Sequence, residues 1–206
     1  MNWDALLLLI VGLYSTVKSS QLAYRLKSLK YLSYALSILF FVLGQGAMLF
    51  ENIIPTDITL LIEFSTVIAV SFVLCGLAVF IRDSKPVFAQ FPLIYAAAPL
   101  LLIFSYWFVK DSFAIKAWLL SIYQAGALLV GLMMYGAQSY RNPEEMDIRY
   151  MLIAIAFFVL TYLAYWFIPE VQSNYQWIWQ LLLGISLMAT TQAFRISLKQ
   201  ETAVEM

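Results

Sequence analysis

The sequence predicts an all-α membrane protein, a seven-transmembrane-helix bundle with its N-terminus outside and its C-terminus in the cytoplasm. Composition carries the first step. Of 206 residues, 63% are hydrophobic and only 12% are charged, against about 25% charged in a typical soluble domain. So few charges cannot cover a water-facing surface, and the mean hydropathy is +0.84. The second observation is a series of apolar runs, each near the ~20 residues a helix needs to cross a bilayer. The third is the placement of lysine and arginine between those runs, which sets orientation.

The first span, about 3–19, opens with "MNWDALLLLIVGLY". Asp4 stands where a secretory signal would carry positive charge, so this reads as the start of a retained helix. A loop bearing Lys18, Arg25, Lys27 and Lys30 leads into the second span, about 30–50, and the third, about 58–81, ends at Arg82 and Lys85. The fourth, about 91–109, has Pro92 at its start and Pro99 inside it. After the fifth, about 113–137, comes "RNPEEMDIR", the one charge-dense stretch. Asn142-Pro143-Glu144-Glu145 reads as a helix start, with proline in the first turn and acids favoured by the helix dipole, or as a docking site for a cytoplasmic partner. The sixth span, about 149–168, and the seventh, about 175–195, complete the set, with Arg195 and Lys199 in the tail. Of the 12 basic residues, only Lys110 and Lys116 fall toward the outer side. The six tryptophans, Trp3, Trp107, Trp118, Trp166, Trp177 and Trp179, all fall at the outer ends, where the ring is buried and its N–H stays wet. The whole chain is one transmembrane domain, expected in a bacterial or archaeal cytoplasmic membrane.

The two ends of the chain share a pattern. "FFVL" at 40–43 returns at 157–160, "LIVGL" at 9–13 as "LLVGL" at 128–132, and Lys30-Tyr31 as Arg149-Tyr150. Spans 1–3 therefore match spans 5–7 in the same direction, a probable 3+1+3 parallel repeat with halves of about 1–85 and 113–199; convergence of similar helices is the competing reading. The layout resembles that of SWEET-type sugar transporters and nicotinamide riboside transporters in topology only. The Pro-Gln dipeptide of the SWEET-like superfamily is absent, and spans 1 and 5 lack proline. The seven-helix rhodopsin layout is also similar, but the seventh span, "YQWIWQLLLGISLMATTQAF", has no lysine to hold retinal.

Absences narrow the chemistry. There is no histidine and a single cysteine, Cys75. That argues against haem, zinc and di-iron sites and against a histidine-based triad. No cofactor, no metal and no enzymatic activity are expected, and the zero net charge gives no reason to expect nucleic acid.

Ionisable and amide side chains at membrane depth are costly and mark candidate sites. Glu63 lies a little over one turn in from the outer end of the third span, and Lys116 lies at similar depth in the fifth. Gln45, Gln124, Tyr162 and Gln180 fall in the same outer half, while the inner half reads as nearly all apolar apart from small residues, hydroxyls and Gln192. A shift of 117 pairs Gln45 with Tyr162 and Glu63 with Gln180, and a repeat interface is where a transporter places its site. The candidate ligand-binding set is thus Glu63, Gln45, Gln124, Tyr162, Gln180 and Lys116, an outward-facing aromatic and polar pocket anchored by Glu63. The plainer readings are an interfacial carboxylate paired with Lys116, a snorkelling lysine, and glutamines that join helices. Gly44, Gly46 and Ala47 read as packing residues.

The leading expectation is a small-solute transporter or facilitator. A seven-helix ligand-sensing module acting through a membrane or cytoplasmic protein partner is the alternative, and an accessory or assembly subunit of a membrane complex is the second.

Overall fold

The computed structural model describes residues 3–48, 59–86, 89–109 and 113–204. Those residues form α1 (Trp3–Leu26), α2 (Leu29–Met48), α3 (Thr59–Asp83), a 3-10 helix (Leu93–Leu100) that runs into α4 (Leu101–Phe108), α5 (Phe113–Arg141), α6 (Met146–Phe167), the short α7 (Pro169–Ser173) and α8 (Gln176–Val204). Six helices, α1, α2, α3, α5, α6 and α8, are long and apolar enough to cross a membrane. Their surfaces carry apolar side chains in the open, among them Ile10, Leu129 and Met188. Water would not tolerate so continuous an apolar coat, and lipid does. Lys110, Pro55 and residues 49–50 and 58 of the expected spans lie outside the described residues.

The fourth element differs from the other spans. Pro92 precedes it, and Pro99, inside the 3-10 stretch, has no N–H to close an α-helical turn onto Tyr95. Only Leu101–Phe108 is α-helical. A 3-10 helix rises about 2.0 Å per residue against about 1.5 Å for an α-helix. These sixteen residues therefore reach roughly 28 Å, close to the ~30 Å of a bilayer's hydrocarbon core.

The helices pack in a closed ring in chain order. α1 lies against α2, α2 against α3, α3 against α5, α5 against α6, α6 against α8, and α8 against α1, while the fourth element packs on α3. One end of the ring carries Arg25, Arg82, Arg141 and Lys199 and is called the basic end here; the tryptophan end is opposite. α1 and α2 meet in a two-residue turn made possible by Lys27, whose φ of 47° is the left-handed value that ends many helices. The link between α5 and α6 differs from the sequence expectation. Asn142–Glu145 is not the first turn of a helix but a β-turn, closed by the Glu145 N–H donating to the Asn142 carbonyl at 3.3 Å. Proline after Asn142 disfavours the α conformation at that residue and suits the second position of a turn. α6 starts at Met146, with Asp147 as its first-turn acid.

Lipid offers no hydrophobic drive between helices, so close approach and internal hydrogen bonds hold them. A Cβ on Gly44 would meet Ser65 Cβ at 2.8 Å, one on Gly46 would meet Leu9 at 3.0 Å, and one on Gly76 would press the Tyr34 ring at 2.9 Å. Gly12 is tightest, its face filled by Val42. The packing expected for Gly44 and Gly46 is thus seated on α3 and α1. Between α1 and α8, the Thr191 hydroxyl donates to Ser15 Oγ at 2.6 Å. Between α8 and α6, Ser186 donates to the Ala154 carbonyl at 2.7 Å. The half toward the basic end is therefore less apolar in its connections than in its composition.

Candidate functional site

At the tryptophan end, Glu63 on α3 is held by the fourth element. The Tyr106 hydroxyl donates to Glu63 Oε2 at 2.7 Å, and Tyr106 is 1% exposed. Phe64 meets the Tyr106 ring edge-on at 5.5 Å and the Trp107 ring at 5.4 Å. Lys116 Nζ lies 5.8 Å from the centre of the Tyr106 ring. Glu63 and Lys116 therefore address the same tyrosine. Tyr106, carried in by the fourth element, is the residue that organises this corner.

The other candidates fall into separate contacts. Trp166 Nε1 donates to Gln124 Oε1 at 2.7 Å, and the Tyr162 and Ser121 hydroxyls lie 2.9 Å apart. Both bonds join α5 to α6, with donors and acceptors one turn apart on each helix. Gln45 and Gln180 are buried on the same helix stripes as Val42 and Leu183, which belong to one apolar cluster with Leu8 and Trp179. The Trp179 ring is 6% exposed, and its N–H is buried with no acceptor. Among the described residues, no hydrogen bond joins any two of Glu63, Gln45, Gln124, Tyr162 and Gln180. Each of the bonded ones is committed to a neighbouring helix, which matches the helix-joining chemistry of amides in lipid.

A second group of polar side chains gathers at the basic end. A cavity of about 110 Å³ is walled by rings. Tyr31 meets Phe194 edge-on at 5.3 Å, and Phe80 stacks on Tyr135 at 5.1 Å. The Tyr135 and Tyr34 hydroxyls, both buried, are 3.1 Å apart. Lys30 points its ammonium at two of these faces, 4.5 Å from the Tyr31 ring centre and 5.0 Å from that of Phe80, a geometry in which ring quadrupoles attract a cation. Two carboxylates, Glu145 and Asp147, line the same cavity. Asp147 Oδ2 accepts from Ser197 at 2.9 Å, while its Oδ1 is buried with no hydrogen-bond partner. The lining thus carries two negative charges against one positive, with one carboxylate oxygen unmatched.

Comparison with family models, with characterised proteins and with solved structures finds no match. The chain's own geometry is therefore the basis for its function. Sequence reading missed this cavity because its walls come from five helices far apart in the chain. The available signals were local: Tyr31 and Tyr34 within one turn of Lys30, Gln138 three residues after Tyr135, Ser197 three after Phe194, and an acid-rich turn that leads into α6.

Proposed function

We propose that the chain is a small-solute transporter or facilitator whose solute is a small cation, and that the solute passes between two three-helix halves, α1–α3 and α5, α6, α8. One observation carries this reading. The basic-end cavity is walled by α2 and α3 from one half and by α5, α6 and α8 from the other, so it opens the interface between halves, along which repeat-built transporters bind their solutes deeper, near the midplane. Lys30 already covers the Tyr31 and Phe80 faces, and the two carboxylates, Glu145 and Asp147, outnumber it, so the lining favours positive charge. At about 110 Å³ the cavity holds the equivalent of three or four waters at ~30 Å³ each, well below the ~300–1,000 Å³ of a drug-sized site. The solute is therefore no larger than a few water molecules.

In this reading the N-terminus is outside, the basic end faces the cytoplasm, and the fourth element is a seventh span that links two parallel repeats. The tryptophan end is the closed side. Its Glu63–Tyr106, Gln124–Trp166 and Ser121–Tyr162 bonds hold the outer halves of the helices together, and they part when the pocket of Glu63, Gln45, Gln124, Tyr162, Gln180 and Lys116 opens outward. Glu63 is then the outer counter-charge and Asp147 the inner one. No catalytic step is involved.

Uptake of labelled tetramethylammonium into proteoliposomes tests the reading, since this cation carries a permanent charge. Uptake above that of protein-free vesicles is expected, and Glu63→Gln is expected to lower it about tenfold, as loss of one charge-assisted interaction costs about 1.5–3 kcal/mol. Glutamine keeps an acceptor for Tyr106, so expression and fold stay intact. Binding without any uptake would move the assignment to a ligand-sensing module.

A further inference from the structure

We infer that the groove between α1 and α8 at the basic end binds the phosphate-bearing headgroup of an anionic phospholipid, and this inference does not depend on what the bundle transports. A depression of about 160 Å³ there is lined by Tyr14, Lys18, Met188, Thr191, Gln192 and Arg195. Two cations and no carboxylate face it. Lys18 Nζ donates to Gln21 Oε1 at 3.3 Å and lies 5.8 Å from the Tyr14 ring centre. Arg195 is exposed and makes no ion pair among the described residues. Tyr14 and Gln192 supply further donors for phosphate oxygens, and a guanidinium matches those oxygens in pairs.

Depth and shape favour a lipid over a free anion. Lys18 is about 22 Å along α1 from Trp3, and Arg195 is about 28 Å along α8 from Gln176, at about 1.5 Å per residue. Both cations therefore stand near the edge of a ~30 Å hydrocarbon core, where basic grooves between helices meet anionic headgroups. From the groove toward the tryptophan end runs an apolar bed. Ile10, Tyr14 and Val17 on α1 and Leu181, Ile185 and Met188 on α8 recur at the i, i+4, i+7 spacing, and all six are exposed. An acyl chain on that bed leaves its phosphate beside Lys18 and Arg195. The floor is the Thr191–Ser15 hydrogen bond, so the lipid lies over the seam where α1 meets α8.

The test is binding of phosphatidylglycerol to the full-length protein in neutral detergent, read as lipid retained by native mass spectrometry and as the shift in unfolding midpoint. Phosphatidylcholine and inorganic phosphate are the comparison arms. Retention of phosphatidylglycerol over phosphatidylcholine is expected. Lys18→Gln or Arg195→Gln is expected to weaken it about fivefold each, and Lys18→Arg to keep it. Arg25→Gln, a basic residue outside the groove, is expected to leave it unchanged. Equal retention of phosphatidylcholine, equal protection by inorganic phosphate, or an equal loss in Arg25→Gln would each overturn the inference.

Discussion

Replacing Asp147 with asparagine is expected to lower tetramethylammonium uptake by proteoliposomes about tenfold or more, a larger effect than that of any other single change at the cavity. The basis is the unmatched Oδ1. A buried carboxylate oxygen that no protein group satisfies is available to a cation once the cavity widens around it, and a charge-assisted contact of this type is worth about 1.5–3 kcal/mol, or a factor of roughly ten to a hundred and fifty. Asparagine has nearly the same shape and can still accept from Ser197, so the helix start is preserved. Removing an unpaired buried charge should leave the unfolding midpoint equal or higher. Normal uptake in Asp147→Asn would exclude the basic-end cavity as the solute site, while a defect in Glu63→Gln alone would place recognition at the tryptophan end.

The largest expected effect on stability is at Gly12. An alanine there is expected to destabilise the bundle by about 1–3 kcal/mol, the cost of overpacking. A Cβ at this position runs into Val42, which is 3% exposed and, being β-branched, has few rotamers in a helix with which to withdraw. The backbones of α1 and α2 must part instead. Gly126 on α5 is the matched control, since a Cβ there meets nothing within 4 Å. Gly126→Ala should be neutral or stabilising by up to about 1 kcal/mol, because glycine is the poorer helix former. Unfolding in a denaturing detergent distinguishes the two, and equal stability of both variants would show that α1 and α2 do not depend on close approach at this glycine.

The six helices long and apolar enough to cross a membrane were legible in the sequence because each is a long apolar run ended by charge, and that signal is local. The fourth was legible as apolar with Pro99 inside it, but not as 3-10, since an interior proline describes a kinked α-helix and a 3-10 stretch equally well. The turn at Asn142–Glu145 was misjudged by one motif: proline near acids describes a helix start and a β-turn equally well, and only the position of the next hydrogen bond separates them. At the candidate site, hydropathy located Glu63 as a deep carboxylate but could not supply its partner, because Tyr106 is brought to it by the docking of a separate element. The aromatic cavity at the basic end was least legible. Lys30 and Asp147 were both read as loop charges, and their neighbours Phe80, Tyr135 and Phe194 look like ordinary lipid-phase residues until five helices converge.

The fourth element is tied to α3 twice. Arg82 Nε donates to the Phe91 carbonyl at 3.0 Å, and Tyr106 reaches Glu63 at the opposite end. Nineteen residues of α3 separate Glu63 from Arg82, about 28 Å of α-helix. Only fifteen separate Phe91 from Tyr106, and as a continuous α-helix they would cover about 22 Å. The 3-10 stretch Leu93–Leu100 adds about 0.5 Å per residue, roughly 4 Å in all, and the tyrosine side chain spans the remainder. The element thus works as a strut drawn out to the length of its neighbour. Pro99 sets the longer rise and the two ties hold the strut's ends, so freeing either one undocks that end from α3, and Glu63 and Arg82 report to each other through one element.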